Sequence, residues 1–414
     1  MSVFETLESQ VRSYCRVWPA VFDRAAGSWM YDEDGNPYLD FFSGAGALNY
    51  GHNHPELKRS LLEYLQRDGV LHGLDMTTVA KRAFLERFRD IVLDPRGLDY
   101  KVQFPGPTGT NSVESALKLA RKVTGRESVI NFTNAFHGMT LGALSVTGNS
   151  MKRGGAGIPL VHATPMPYDN YLDGQLPDFL WFERLLEDAG SGLNDPAAVI
   201  VETTQGEGGL NTARFEWLQG LEQLCRRHDM LLIVDDVQMG CGRTGPFFSF
   251  EPAGITPDIV ALSKSLSGYG LPMALTLLRP ELDVWEPGEH NGTFRGNNAA
   301  FVTATRALEV FWTDDTLQRS TLDKGKRIHQ ALERIAEGRA GVSVKGRGLA
   351  RGLAFDQAEQ AGKVCTAAFD RGLLMETAGP TDEVAKLLPP LTISYDELDE
   401  GLDILAGAVA EVHD

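Results

Sequence analysis

Four short, almost unbroken apolar runs, SVINFT, AAVIVET, MLLIVDD and DIVALS, constrain this chain more than any other feature. Runs of this length and composition read as strands covered on both faces. Helical stretches separate most of them. In TNSVESALKLARKV, Val113, Ala116, Leu117 and Ala120 fall on one face, and FEWLQGLEQLCRRH is a second such stretch. The alternation predicts an α/β fold, with a mostly parallel sheet between layers of helix. Ligands of such sheets bind at the carboxyl ends of the strands.

The ends of the chain follow another pattern. SWMYDEDGNPYLDF reads as a strand pair turning at Asp34-Gly35. After about residue 300 come two long helical segments, the Gly-rich strand region SVKGRGLARGLAF and a closing helix, DELDEGLDILAGAVAEV. The organisation expected is a large domain over 56–300 and a smaller α+β domain built from 1–55 and 301–414. The glycines of SVKGRGLARGLAF read as tight turns between short strands, not as a phosphate loop.

Charge and cysteine usage exclude several classes. The net charge of −17 disfavours nucleic acid and anionic membrane as partners, because both reward excess Lys and Arg. It fits an acidic, salt-adapted surface. The four cysteines are far apart and form no CxxC pair, so neither a disulfide framework nor a zinc site is expected, and no metal is assigned. The opening MSVFETLESQVRSYCRVW has no apolar core of a signal peptide, and no apolar run approaches 18 residues. A cytoplasmic location is the expectation.

The chemistry converges on strand ends. Lys264 follows DIVALS and is the only lysine between Lys152 and Lys324. An amine there can be partly desolvated, which favours nucleophilic and imine chemistry. From this segment alone, a cofactor anchor and an ordinary strand-end lysine remain equally open. Asp235 and Asp236 end MLLIVDD, 29 and 28 residues earlier. Strand alternation sends them to opposite faces, so one of them can face a ligand. GPTGTN opens directly into a helix, and backbone N–H groups there, with Thr108 and Thr110, suit an anion; ordinary capping explains them as well. Phe136 and His137 in NAFHGMT offer a stacking ring and its neighbour, with a core phenylalanine as the alternative. A lysine, a carboxylate, a phosphate cradle and an aromatic are what pyridoxal 5′-phosphate (PLP) needs from a protein.

The motifs YLDFFSGAGALNYGHNHP, PTGTNSVESALKLAR, AFHGMT, ETTQGEGG, LLIVDDVQMGCGRTG, PDIVALSKSLSGYGLPM, GTFRGNNAA and LLPPLTI run in order along essentially the whole chain. Together they resemble the class III aminotransferases of PLP fold type I. The resemblance implies that Lys264 is the Schiff-base lysine and proton shuttle, and Asp235 the partner of the pyridinium nitrogen. It implies ring contacts from Gln238, Phe136 and His137, and a phosphate site at Thr108, Gly109 and Thr110. Thr293 would be donated from a neighbouring subunit, which requires a homodimer or higher oligomer. Gly44, Ala45, Glu207 and Lys386 would bind substrate. Many relatives carry arginine where Lys386 stands, and lysine replaces a rigid fork by a point charge. Within the family, the opening segment and KLLPPLTI are closest to a subgroup that transfers the amine of L-glutamate to L-aspartate 4-semialdehyde, the first step of ectoine synthesis. Other ω-amino substrates (ornithine, acetylornithine, 4-aminobutyrate) and diaminobutyrate supply for a siderophore are the alternatives. A non-enzymatic regulator of the same fold is disfavoured by retention of Lys264, Asp235 and Gln238.

Overall fold

The structure, a computed structural model, describes residues 2–176 and 178–413; Met1 and Asp414, the outer ends of the two terminal segments, lie outside them. Its centre is a seven-stranded sheet. In chain order the strands are β1 (Lys101–Gln103), β2 (Val129–Phe132), β3 (Ala163–Met166), β4 (Ala198–Val201), β5 (Leu231–Asp235), β6 (Ile259–Leu262) and β7 (Leu275–Leu278). They lie in the order β1-β7-β6-β5-β4-β2-β3. All run parallel except β7, which is antiparallel to both neighbours.

The four apolar runs are β2, β4, β5 and β6, and every residue of these strands is buried. Helices cover the sheet on both sides, which is why the strands carry no polar alternation. One is α1 (Gly109–Thr124), whose Val113, Ala116, Leu117 and Ala120 are all buried; another is α2 (Phe215–Arg227), buried through Leu218, Leu221 and Leu224. The fold is thus α/β with a large mixed sheet, as expected. Two strands were not legible in the sequence. β3 carries Pro165, tolerated because β3 is an edge strand. β7 reverses direction, which no periodicity encodes.

Two smaller sheets flank this core. Trp29–Asp32 and Pro37–Asp40 pair antiparallel about Asp34-Gly35, and Leu373–Leu374, from the far end of the chain, joins in parallel. The second sheet contains β8 (Val342–Arg347), β9 (Ala350–Phe355), β10 (Glu376–Ala378) and β11 (Val384–Leu387), in the order β8-β9-β11-β10. The Gly-rich stretch forms the β8–β9 hairpin, and Glu376 and Lys386 are direct partners across β10 and β11. Among the described residues no helix is long and apolar enough to cross a membrane.

Candidate active site

Four adjacent parallel strands deliver polar side chains to one edge of the sheet. Asp235 is the last residue of β5, and Lys264 stands two residues beyond β6. Glu202 directly follows β4, and Phe136 and His137 lie in the loop after β2. These residues line one pocket of about 520 Å³, together with Thr108, Gly109, Thr110, Glu207 and Gln238. A cleft of about 660 Å³ elsewhere is lined by none of the candidate site residues.

The strand alternation at Asp235-Asp236 sorts the two carboxylates. Asp235 lines the pocket, and its Oδ2 lies 2.7 Å from His137 Nδ1. Burial pulls the His137 imidazole down, but the hydrogen bond and charge of Asp235 outweigh it and hold the ring above its ordinary value. Asp236 turns away and accepts the Ser249 N–H at 3.0 Å. Burial raises it to about 7.

Lys264 adopts a left-handed backbone conformation, φ +49°, unusual for a residue with a side chain. Such strain persists where surrounding structure imposes it, and it concentrates at functional sites. Its Nζ donates to the Ala45 carbonyl at 2.9 Å, and Gln238 Nε2 donates to the same oxygen at 2.9 Å. Ala45 and Gly44 themselves have positive φ, so the turn aims that carbonyl at both donors. Burial lowers the Lys264 amine, against the opposing pull of Glu207; a lysine so lowered is a better nucleophile and proton carrier.

The anion site is a helix start. Thr108 caps α1 in a reciprocal capping box with Asn111, which leaves Gly109 and Thr110 at the first turn beside the pocket. A Cβ on Gly109 would stand 2.8 Å from Val237 Cγ1, so only glycine lets the helix approach this closely. Free N–H groups and the helix dipole both favour a phosphate here.

At the other end, Glu207 Oε1 accepts from Lys386 Nζ at 2.8 Å and from Gln238 Nε2 at 3.0 Å. Lys386 is fully buried behind Glu207, does not line the pocket, and lies 2.9 Å from a second carboxylate, Glu376. Burial opposes ionisation of both Glu207 and Lys386. Their mutual attraction prevails, holding Glu207 low and Lys386 high. Glu376 is raised, chiefly by burial.

Thr293 is exposed and absent from the pocket lining. Its loop is tied to the segment around His72 by a Gly73 N–H bond to the Gly296 carbonyl and an edge contact between the His72 and Phe294 rings. Two groups of the site were missed from sequence, Glu202 in the pocket lining and Glu376 behind it. Glu202 accepts the Phe136 and Gly206 N–H groups, and burial raises it to about 7. It ends an apolar strand just as Asp235 does, and that signal was available. Glu376 had none, since its partner is set by the pairing of β10 with β11.

These residues fit PLP. The pocket supplies an amine, a carboxylate for a pyridinium, a phosphate-sized helix start that a Cβ at Gly109 would obstruct, and Phe136 as an aromatic wall. Gln238 Oε1 is also buried there without a hydrogen-bond partner, as expected where a ligand polar group completes the site.

Comparison with known proteins agrees. The family model described as aminotransferase class-III matches residues 12–409. A diaminobutyrate–2-oxoglutarate transaminase of Streptomyces avermitilis is 68% identical, covering 99% of this chain and 98% of its own. One of Virgibacillus pantothenticus is 58% identical, covering 100% and 99%. Among solved structures, an ornithine aminotransferase of Toxoplasma gondii with partial occupancy of PLP at its active site is 27% identical with a TM-score of 0.85, covering 99% of this chain and 93% of its own. This chain therefore belongs to the class III aminotransferases, PLP-dependent enzymes of fold type I.

Proposed function

We propose that the chain catalyses L-glutamate + L-aspartate 4-semialdehyde ⇌ 2-oxoglutarate + L-2,4-diaminobutyrate. The observation that carries this reading is near-full-length identity of 58–68% to transaminases named for that pair. The cofactor, when bound, supplies an electron sink for the carbon that gains or loses a proton. Lys264 holds it and moves a proton at the reacting substrate carbon. Asp235, braced by His137, keeps the ring nitrogen protonated. Gln238 and Phe136 orient the ring, and Thr108, Gly109 and Thr110 hold the phosphate. Gly44 and Ala45 form the substrate-side turn, Lys386 meets the carboxylate of the substrate, and Glu207 covers Lys386 when the substrate brings no carboxylate there. Supplying diaminobutyrate as the first step of ectoine synthesis, in the cytoplasm, fits the subgroup resemblance and the acidic surface.

A homodimer belongs to the same proposal. The loop of Thr293 carries exposed Phe294, whose ring meets His72 next to exposed Leu71, and exposed apolar side chains gathered in this way favour burial against a partner. A second copy would bring Thr293 to its neighbour's phosphate. The division into 56–300 and a unit of 1–55 with 301–414 is likewise proposed, supported by the pairing of Leu373 with Leu39.

Regiochemistry tests the reaction. L-2,4-diaminobutyrate labelled with ¹⁵N at the C4 amine should pass its label to glutamate in the presence of 2-oxoglutarate. Unlabelled glutamate, its nitrogen drawn from the C2 amine, would overturn the assignment.

A further inference from the structure

The cluster behind Glu207 has one cation and two carboxylates. Lys386 Nζ lies 2.8 Å from Glu207 Oε1 and 2.9 Å from Glu376 Oε1; Lys386 and Glu376 are buried, and the Glu207 side chain is 19% exposed towards the pocket. An ammonium has three donors, so two carboxylates leave one in hand. The carboxylates are mounted differently. Glu376 sits on β10 directly opposite Lys386 on β11, 5% exposed, with the Tyr14 side chain beside it. Glu207 sits on a loop between Gly206 and Gly208, followed by Gly209 and Leu210, both with positive φ, and it is the only one of the three that lines the pocket. Glu376 faces Lys386 across a strand pair, whereas Glu207 reaches it from a loop and has the pocket on its open side, into which its side chain can turn.

The two substrates proposed above make unequal demands on this cluster. Glutamate carries a carboxylate on the carbon that reacts. Diaminobutyrate, reacting at C4, carries only hydrogens there. The first calls for an exposed cation near that carbon, the second for a covered one. Glu207 must leave Lys386 for the first. A buried lysine stripped of its sole partner would lose its proton or be driven from its place. We propose that Glu376 is a positioning residue for substrate selection, keeping Lys386 charged and in place when Glu207 turns away and so setting affinity for the substrate whose reacting carbon bears a carboxylate. This rests on the proposed reaction. It also gives lysine a role where it lacks the rigid two-pronged geometry of arginine: the second carboxylate fixes the direction that a point charge cannot fix for itself.

The test uses Glu376→Gln holoenzyme, which keeps size and removes charge while leaving Lys386 paired with Glu207. Each half-reaction is followed separately by cofactor absorbance, titrating L-glutamate or L-2,4-diaminobutyrate. The expected result is an apparent Kd for glutamate raised at least about tenfold and one for diaminobutyrate changed by less than about twofold. Glutarate, a dicarboxylate that cannot react, should lose affinity in parallel with glutamate. Glu376→Asp, which keeps the charge one methylene further away, should show the same split at smaller size, and it carries the test if the glutamine variant does not fold. Equal weakening of both substrates, or of neither, would overturn the proposal. Wild-type holoenzyme that does not react with diaminobutyrate would refute the proposed reaction instead.

Discussion

At the residue scale, the meaning of a side chain depends on which face of a strand carries it. Asp235 and Asp236 are chemically identical neighbours, yet one meets His137 in the pocket and the other is sealed against Ser249. Asp236 is raised from the ordinary aspartate range to about 7, so the folded chain binds a proton that the unfolded chain releases. Its favourable contribution is complete below the ordinary aspartate value and is lost as pH rises through about 7. Asp236→Asn should therefore gain stability relative to wild type between pH 5 and pH 8, by on the order of a few kcal/mol. Denaturant unfolding at the two pH values measures it, and a difference independent of pH would contradict the burial argument. Lys264→Ala should abolish both the borohydride-reducible cofactor adduct and transamination, while an adduct that persists would remove Lys264 from the site. Lys264 and Asp235 were legible because each ends an apolar strand. Glu376 was not, because its importance arises from a strand pairing between residues whose segments look unremarkable in sequence.

Among the elements, β2, β4, β5 and β6 were legible because complete burial leaves an unmistakable apolar run. The same burial hides β7, since an apolar run does not state its direction, and Pro165 disguises β3. The start of α1 was legible as a helix start but ambiguous as an anion site. What resolves it is the approach of Gly109 to Val237, which depends on the docking of α1 beside β5. Gly109→Ala should weaken PLP binding at least about tenfold, near 1.4 kcal/mol. The check is a spectroscopic titration of apoprotein with PLP, alongside thermal unfolding to establish that the fold is intact. Unchanged affinity in a folded variant would move the phosphate elsewhere.

For the whole molecule, the sheet gathers four strand ends into one pocket, while the second small sheet places Lys386 and Glu376 behind Glu207. Sequence order conveys neither closeness. The proposed dimer completes the arrangement by bringing in Thr293, and it predicts complementation. Subunits carrying Lys264→Ala, mixed with subunits carrying Thr293→Ala and allowed to exchange, should regain activity, because one site in each mixed dimer would have both residues intact. Exchange without recovery would exclude the shared site. The central claim is the substrate pair. Its most direct measurement is kcat/KM for L-2,4-diaminobutyrate, L-ornithine and 4-aminobutyrate as donors to 2-oxoglutarate with one holoenzyme preparation. A clear preference for diaminobutyrate is predicted, and a preference for ornithine or 4-aminobutyrate would contradict the account.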